Sequence, residues 1–203
     1  MATINIGLDA VERPESVGRP MPVVSVKIVD TATATAEIAD VEGLTTGEVG
    51  EICVSGPILM AGYWGKPVET AEVMARGWLR TGDLGRVDEE GFVYVTDRAK
   101  DMIIRGGENV YCIEIENRLV EHPAVAEAAV VGVPHPSLGE EVMAIVRFED
   151  GQSVTVEELR AFVAETLADF KVPSYIRISD DPLPRNASGK LLKTVLRAGA
   201  SEA

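Results

Sequence analysis

Hydrophobic positions along this chain follow two different rhythms. In the first half they come in short β-branched runs separated by glycine and proline. Val23 to Val29 (VVSVKIV) follows Pro20 and Pro22, which break any helix, and predicts a strand. Glu51 to Ser55 (EICVS) predicts a second strand after turns at Gly47 and Gly50. Pro67 to Arg76 (PVETAEVMAR) predicts a helix, with proline at its first position and Gly77 as its stop. Leu84 to Val87 and Phe92 to Thr96 flank Asp88-Glu89-Glu90-Gly91, which predicts a hairpin.

In the second half strand-like and helix-like segments alternate. Met102 to Ile104 is a short apolar run, and Ile113 to Val120 predicts a helix carrying Glu114, Glu116 and Arg118. Ala124 to Val133 and Glu141 to Phe148 predict strands. Thr155 to Phe170 has the clearest helical pattern, with Val156, Leu159, Phe162, Val163 and Leu167 at helical spacing. Thr155 and Glu158 fit a capping box at its start. Tyr175 to Ile178 predicts a last strand, and Leu191 to Ala198 a last helix after the loop Pro184 to Gly189. The expected class is α/β (α+β), with a mostly β unit over 1–97, a connector at 98–100 and a small α/β unit over 101–203. In the second unit a short sheet is flanked by helices.

Charge narrows the range of partners. The 203 residues carry 33 acidic and 19 basic side chains, a net charge of −14. That disfavours nucleic acid and anionic membrane surfaces, which are bound through basic patches. A phosphorylated ligand stays compatible, because a few local cations and backbone amides suffice for one. No apolar run is long enough to span a bilayer and the first residues do not read as a signal peptide, so the expected location is cytoplasmic. Cys53 and Cys112 lack the partners of a disulfide framework or a zinc site and read as packing residues, so no metal site is expected.

Four segments carry candidate chemistry. Asp83, in Gly77-Trp78-Leu79-Arg80-Thr81-Gly82-Asp83, lies between a glycine turn and a strand, where it is a turn residue or an exposed acceptor for a sugar diol. Asp97-Arg98-Ala99-Lys100-Asp101 is a charged crossing between apolar strands, read as a solvated loop or a hinge. Gly106-Gly107-Glu108-Asn109-Val110-Tyr111 is a tight turn or a loop through which the backbone approaches a ligand. Pro182 to Lys190 ends in Ser188-Gly189-Lys190, which places a lysine on a loop entering a helix. This is not a nucleotide-binding P-loop: Pro184 stands where that motif needs glycine, and Leu191 where it needs Ser or Thr.

Alone each segment says little, but their order and spacing resemble the adenylate-forming family of acyl-CoA synthetases, luciferases and peptide-synthetase adenylation domains. The resemblance runs from Ser16-Val17-Gly18-Arg19-Pro20 to Lys193. It implies that 1–97 is the end of a large AMP-binding domain, a distorted β-barrel subdomain, and that 101–203 is the mobile lid. It further implies that a carboxylic acid and ATP form an acyl-adenylate, which CoA then attacks to give acyl-CoA, with AMP and pyrophosphate released. Asp83 would bind the ribose hydroxyls and Arg98 the ribose or phosphates. Lys100 would be the hinge, and Gly106, Gly107, Glu108, Asn109, Val110 and Tyr111 the loop lining the pantetheine channel. Lys190 would be catalytic, contacting the acid carboxylate and the α-phosphate. One preorganised group of that kind contributes about 3–4 kcal/mol at the transition state.

The family's phosphate loop, adenine segment and Mg²⁺-binding glutamate have no counterpart in these residues. The resemblance therefore implies the C-terminal part of such a ligase, inactive alone, with the N-terminal domain supplied in cis or in trans. The alternative is a stand-alone binding or regulatory module, or one half of a split ligase. Apolar surface left bare in the first unit would favour self-association.

Overall fold

The computed structural model describes residues 2–200. The chain divides into two compact units between Lys100 and Asp101. In the first, β1 (Thr3–Ile4) pairs with β2 (Arg19–Pro20) around a short helix α1 (Leu8–Glu12). A separate five-stranded sheet contains β3 (Ser25–Val29), β4 (Gly50–Ser55), β5 (Met74–Ala75), β6 (Trp78–Val87) and β7 (Val93–Arg98), with α2 (Pro67–Val73) preceding β5. β4 is buried on both faces: Ile52 and Val54 pack with Val24, Ile28 and Val93, while Cys53 packs with Val29 and Ile38 on the other side. That accounts for the unbroken apolar centre of its sequence.

The second unit has β8 (Ile103–Arg105), β9 (Glu108–Val110), α3 (Cys112–Val120), β10 (Val125–His135), β11 (Gly139–Phe148), α4 (Val156–Ala164), β12 (Tyr175–Ile178) and α5 (Lys193–Ala200). β11 is the hub of its sheet: β10 and β8 pair with it antiparallel, and β12 parallel. Alternate residues of β10 and β11 feed two cores. Val130, Val142, Ala144 and Val146 share one with Ile115 and Leu119 of α3 and Leu159 and Val163 of α4. Ala129, Val131, Met143 and Ile145 share the other with Leu183 and Leu196. Truncating a side chain such as Leu119 to alanine costs about 2–5 kcal/mol at a site of this kind.

The expected mixed α/β class is observed, and several boundaries move. α2 ends at Val73 because Met74 and Ala75 pair with Leu79 and Trp78. The helix expected over Thr155 to Phe170 stops at Ala164. Beyond it the chain turns, forms a 3₁₀ turn at Asp169–Lys171, and packs Leu167 and Phe170 onto the core without helical geometry. α5 begins at Lys193, because Leu191 forms a β-bridge with Arg185. β6 begins at Trp78, six residues before the expected strand, and Asp97 and Arg98 belong to β7 rather than to a loop. Asp97 is buried, its Oδ1 accepting the Arg98 N–H at 2.7 Å. Among the described residues no helix is long and apolar enough to cross a membrane.

Candidate functional site

Asp83 is presented by a bulge. Against β4, Glu51 pairs with Leu84 and Cys53 with Arg80, so Thr81, Gly82 and Asp83 together face the single residue Ile52. Extra residues in one strand bend it and re-aim a side chain. Gly82 absorbs the bend at a φ of 74°, a conformation open to glycine without the Cβ penalty. The segment is fixed from below: Thr81 Oγ1 donates to the Ile52 carbonyl at 2.8 Å and accepts the Asp83 N–H at 3.1 Å, and Glu51 Oε1 accepts the Gly82 N–H at 3.1 Å. Glu51 is itself paired with Arg80, whose guanidinium also donates to the Thr33 carbonyl at 2.6 Å. The expectation that Asp83 sits in a turn before a strand is therefore corrected, since it lies within β6.

Across β6 and β7 Asp83 is in register with Arg98, and Arg98 Nε lies 3.1 Å from Asp83 Oδ1. The Asp83 side chain is 39% exposed and that of Arg98 55%. A carboxylate offers about four lone-pair sites, so this solvent-facing pair leaves acceptor capacity for a vicinal diol. Lys100 is an exposed turn residue after β7.

The other candidate residues lie in the second unit. Gly106 and Gly107, at φ 61° and 93°, make the two-residue turn between β8 and β9. Two positive φ angles in succession are the signature of the tight hairpin turn that matches strand twist. Ile103 and Val110 anchor its stems in the core, while Glu108 and Asn109 stay exposed. The Gly106 N–H donates to the Leu138 carbonyl at 2.8 Å. Arg105 reaches Glu141 of β11 with two hydrogen bonds, 2.5 and 3.0 Å. Tyr111 follows β9 as the cap residue of α3.

Lys190 is exposed on the loop before α5, and its ammonium makes no ion pair among the described residues. Asn186 organises that loop. Its Oδ1 accepts the Ser188 N–H at 3.0 Å, the Ser188 hydroxyl at 2.8 Å and the Lys190 N–H at 2.9 Å. Asparagine with Ser188 and Gly189 two and three residues on is the sequence signal of such a turn. The supporting carboxylates Glu51 and Glu141, buried, and Glu127, partly buried, were missed from the sequence, because a glutamate within a strand carries no local signature of its partner. Among the described residues no group of three or more His, Cys, Asp or Glu converges to hold a metal ion.

Two family models match this chain: "AMP-binding enzyme" over residues 1–64, and "AMP-binding enzyme C-terminal domain" over residues 114–190, ending on Lys190. The chain belongs to the adenylate-forming, AMP-binding enzyme family. Among its curated relatives in this ligase family, fatty acid–[acyl-carrier-protein] ligase ScoC of Streptomyces coeruleorubidus is 44% identical over 90% of this chain and 34% of its own length. Medium-chain acyl-CoA ligase ACSF2 of Bos taurus is 42% identical over 96% of this chain and 31% of its own. The chain thus spans about a third of the curated relatives it matches. The crystal structure of ATP-bound MatB from Rhodopseudomonas palustris is similar at a TM-score of 0.82 and 39% identity, over 93% of this chain and 36% of that one.

Proposed function

We propose that this chain supplies the ribose clamp and the lid of an AMP-forming acyl-CoA synthetase, with the phosphate loop, most of the acid pocket and the Mg²⁺ ligand contributed by sequence outside these 203 residues. In this reading 1–97 closes the large domain, 98–100 is the pivot about Lys100, and 101–203 is the lid. Asp83 accepts both ribose hydroxyls of ATP and then of AMP, and Arg98 neutralises charge beside them. Lys190 bridges the acid carboxylate and the α-phosphate while the first bond forms, so that two anions meet beside a cation. The same ammonium would obstruct an incoming thiol, so the glycine hairpin Gly106 to Tyr111 replaces it for the thioester step.

The observation that carries this reading is the bulge that holds the Asp83 carboxylate in solvent beside Arg98. A turn aspartate with no task needs no such scaffold. The name of ScoC adds one alternative, a carrier-protein thiol in place of CoA.

A chimera tests it. The matched third of ACSF2 is replaced by this chain and given a medium-chain acid, ATP, Mg²⁺ and either CoA or a phosphopantetheinylated carrier protein. The expected outcome is AMP and acyl-CoA from the chimera, none from the 203 residues alone, and AMP formation roughly 10²–10³-fold slower with Lys190→Ala. A folded chimera that forms no AMP, or unchanged AMP formation in Lys190→Ala, would overturn the reading. Acylation of the carrier protein alone would select the alternative thiol.

A further inference from the structure

Lys190 carries its charge at the end of a four-carbon stem on an exposed loop, so its reach into a reaction depends on what holds that loop. One set of bonds is internal to the loop. Asn186 Oδ1 gathers three donors as described above, the Asn186 N–H donates to the Lys190 carbonyl at 2.9 Å, and the Gly189 N–H donates to the Asn186 carbonyl at 2.9 Å. These bonds stiffen the loop, and Leu183 and Leu191 at its two ends pack on the second core, but none of them sets the tip at Gly189 and Lys190 against the sheet.

A second set ties the tip of the loop to the sheet through one guanidinium. Arg185 Nη1 donates to the Gly189 carbonyl at 2.9 Å, one residue before Lys190. Its Nη2 donates to Glu127 Oε2, also at 2.9 Å. Glu127 is a residue of β10, just past a bulge in its ladder, and its other oxygen accepts Arg147 Nε at 2.8 Å. Glu127 and Arg147 are register partners on β10 and β11, so the carboxylate is held on the two central strands of the unit's sheet. Burial works to raise the Glu127 carboxyl, and the hydrogen bonds from Arg185 and Arg147 outweigh it, so the group stays charged well into acid. The planar fork of arginine suits this bridge, since a lysine in its place offers a single point charge.

We infer that Arg185 and Glu127 are positioning residues that seat Lys190 for the adenylation step, the fork of Arg185 transmitting the place of β10 and β11 to the Gly189 carbonyl. The inference rests on the role proposed above for Lys190. A purely structural role fits the geometry less well. Arg185 is nearly half exposed, and removing it leaves Glu127 still paired with Arg147, so no buried charge is stranded. What its removal frees is the Gly189 carbonyl beside Lys190, while Leu183 and Leu191 still hold the ends of the loop.

The test uses the ligase that contains this chain. Arg185→Gln lowers kcat for adenylation about 10–100-fold, the scale expected when a reacting group is displaced by about an ångström. KM for ATP and for the acid stays within about two-fold, and CoA attack on supplied acyl-adenylate proceeds at the wild-type rate, because Lys190 takes no part in it. Arg185→Lys recovers part of the loss. In a Lys190→Ala background Arg185→Gln adds no further loss, whereas general destabilisation would add to it. In the 203-residue chain itself, Arg185→Gln speeds amide exchange at Ser188 to Lys190 about ten-fold or more. Unchanged exchange, additive losses, or an equal slowing of both half-reactions would overturn the positioning role. If Lys190→Ala abolishes adenylation while Arg185→Gln has the wild-type rate, the positioning role alone falls. If Lys190→Ala has no effect, both readings fall.

Discussion

Arg80 on β6 and Glu51 on β4 form an ion pair with side chains only 16% and 6% exposed, and the segment that presents Asp83 is bolted to it. One Glu51 oxygen accepts from Arg80 Nε at 2.8 Å, while the other accepts the Gly82 N–H at 3.1 Å. A desolvated pair anchors a solvated one three residues away, and the two respond differently to substitution.

Arg80→Leu strands a buried carboxylate, and the first unit should lose about 3–5 kcal/mol in urea unfolding. Asp83→Asn loosens only a pair in solvent, and stability should change by less than about 1 kcal/mol. Comparable losses from the two substitutions would mean that Glu51 and Arg80 are not the anchor.

Glu141 makes the glycine hairpin sensitive to acid. Burial works to raise its carboxyl, but the Arg105 side chain and the Val142 N–H outweigh burial and leave it below the ordinary value of 4.5. A carboxyl depressed in the folded state contributes stability that is present above 4.5 and lost as pH falls through its lower, folded value. Unfolding free energies measured from pH 6 down to pH 3 should therefore fall less steeply in Arg105→Gln than in the unaltered chain. Identical slopes would detach Arg105 from the acid response.

Cys53 titrates the other way. Burial first, then the nearby charge of Glu51, pushes its thiol from 9.0 up to about 11. A group raised in the folded state contributes stability that is complete below 9.0 and disappears as pH rises through about 11. Cys53→Ala should remove that alkaline loss. A thiol reagent at pH 8 should leave Cys53 unmodified in the folded chain and label it fully in denaturant. Rapid labelling of the folded chain at pH 8 would contradict the burial.

Legibility in the sequence tracked how local each determinant was. The capping box at Thr155 and Glu158 is present as read, because both partners lie within one turn. β12 coincides residue for residue with the strand expected over Tyr175 to Ile178. The end of α4 was misplaced because Leu167 and Phe170 keep helical spacing while reaching the core by another path. Asp97 and Arg98 looked like loop because charge normally marks solvent, whereas Asp97 is buried within β7. Asp83, Arg98, Lys190 and the glycine hairpin were all named from motif order, yet the bulge beneath Asp83 was invisible. A bulge is a mismatch between two strands, and Glu51 and Leu84 stand 33 positions apart. The bridge from Glu127 to Arg185 was hidden by a longer separation, 58 positions.

The pairing of β11 bears on how the second unit is born. β11 must arrive before Glu127 can meet Arg147 and before Arg105, at the foot of the glycine hairpin, can pair with Gly139 and Glu141. A chain emerging from the ribosome therefore holds neither the glycine hairpin nor the seat of the Lys190 loop in final form until that strand has been made. The hairpin can settle once β11 is complete, whereas the loop of Lys190 waits for Arg185, made 37 residues after that strand ends.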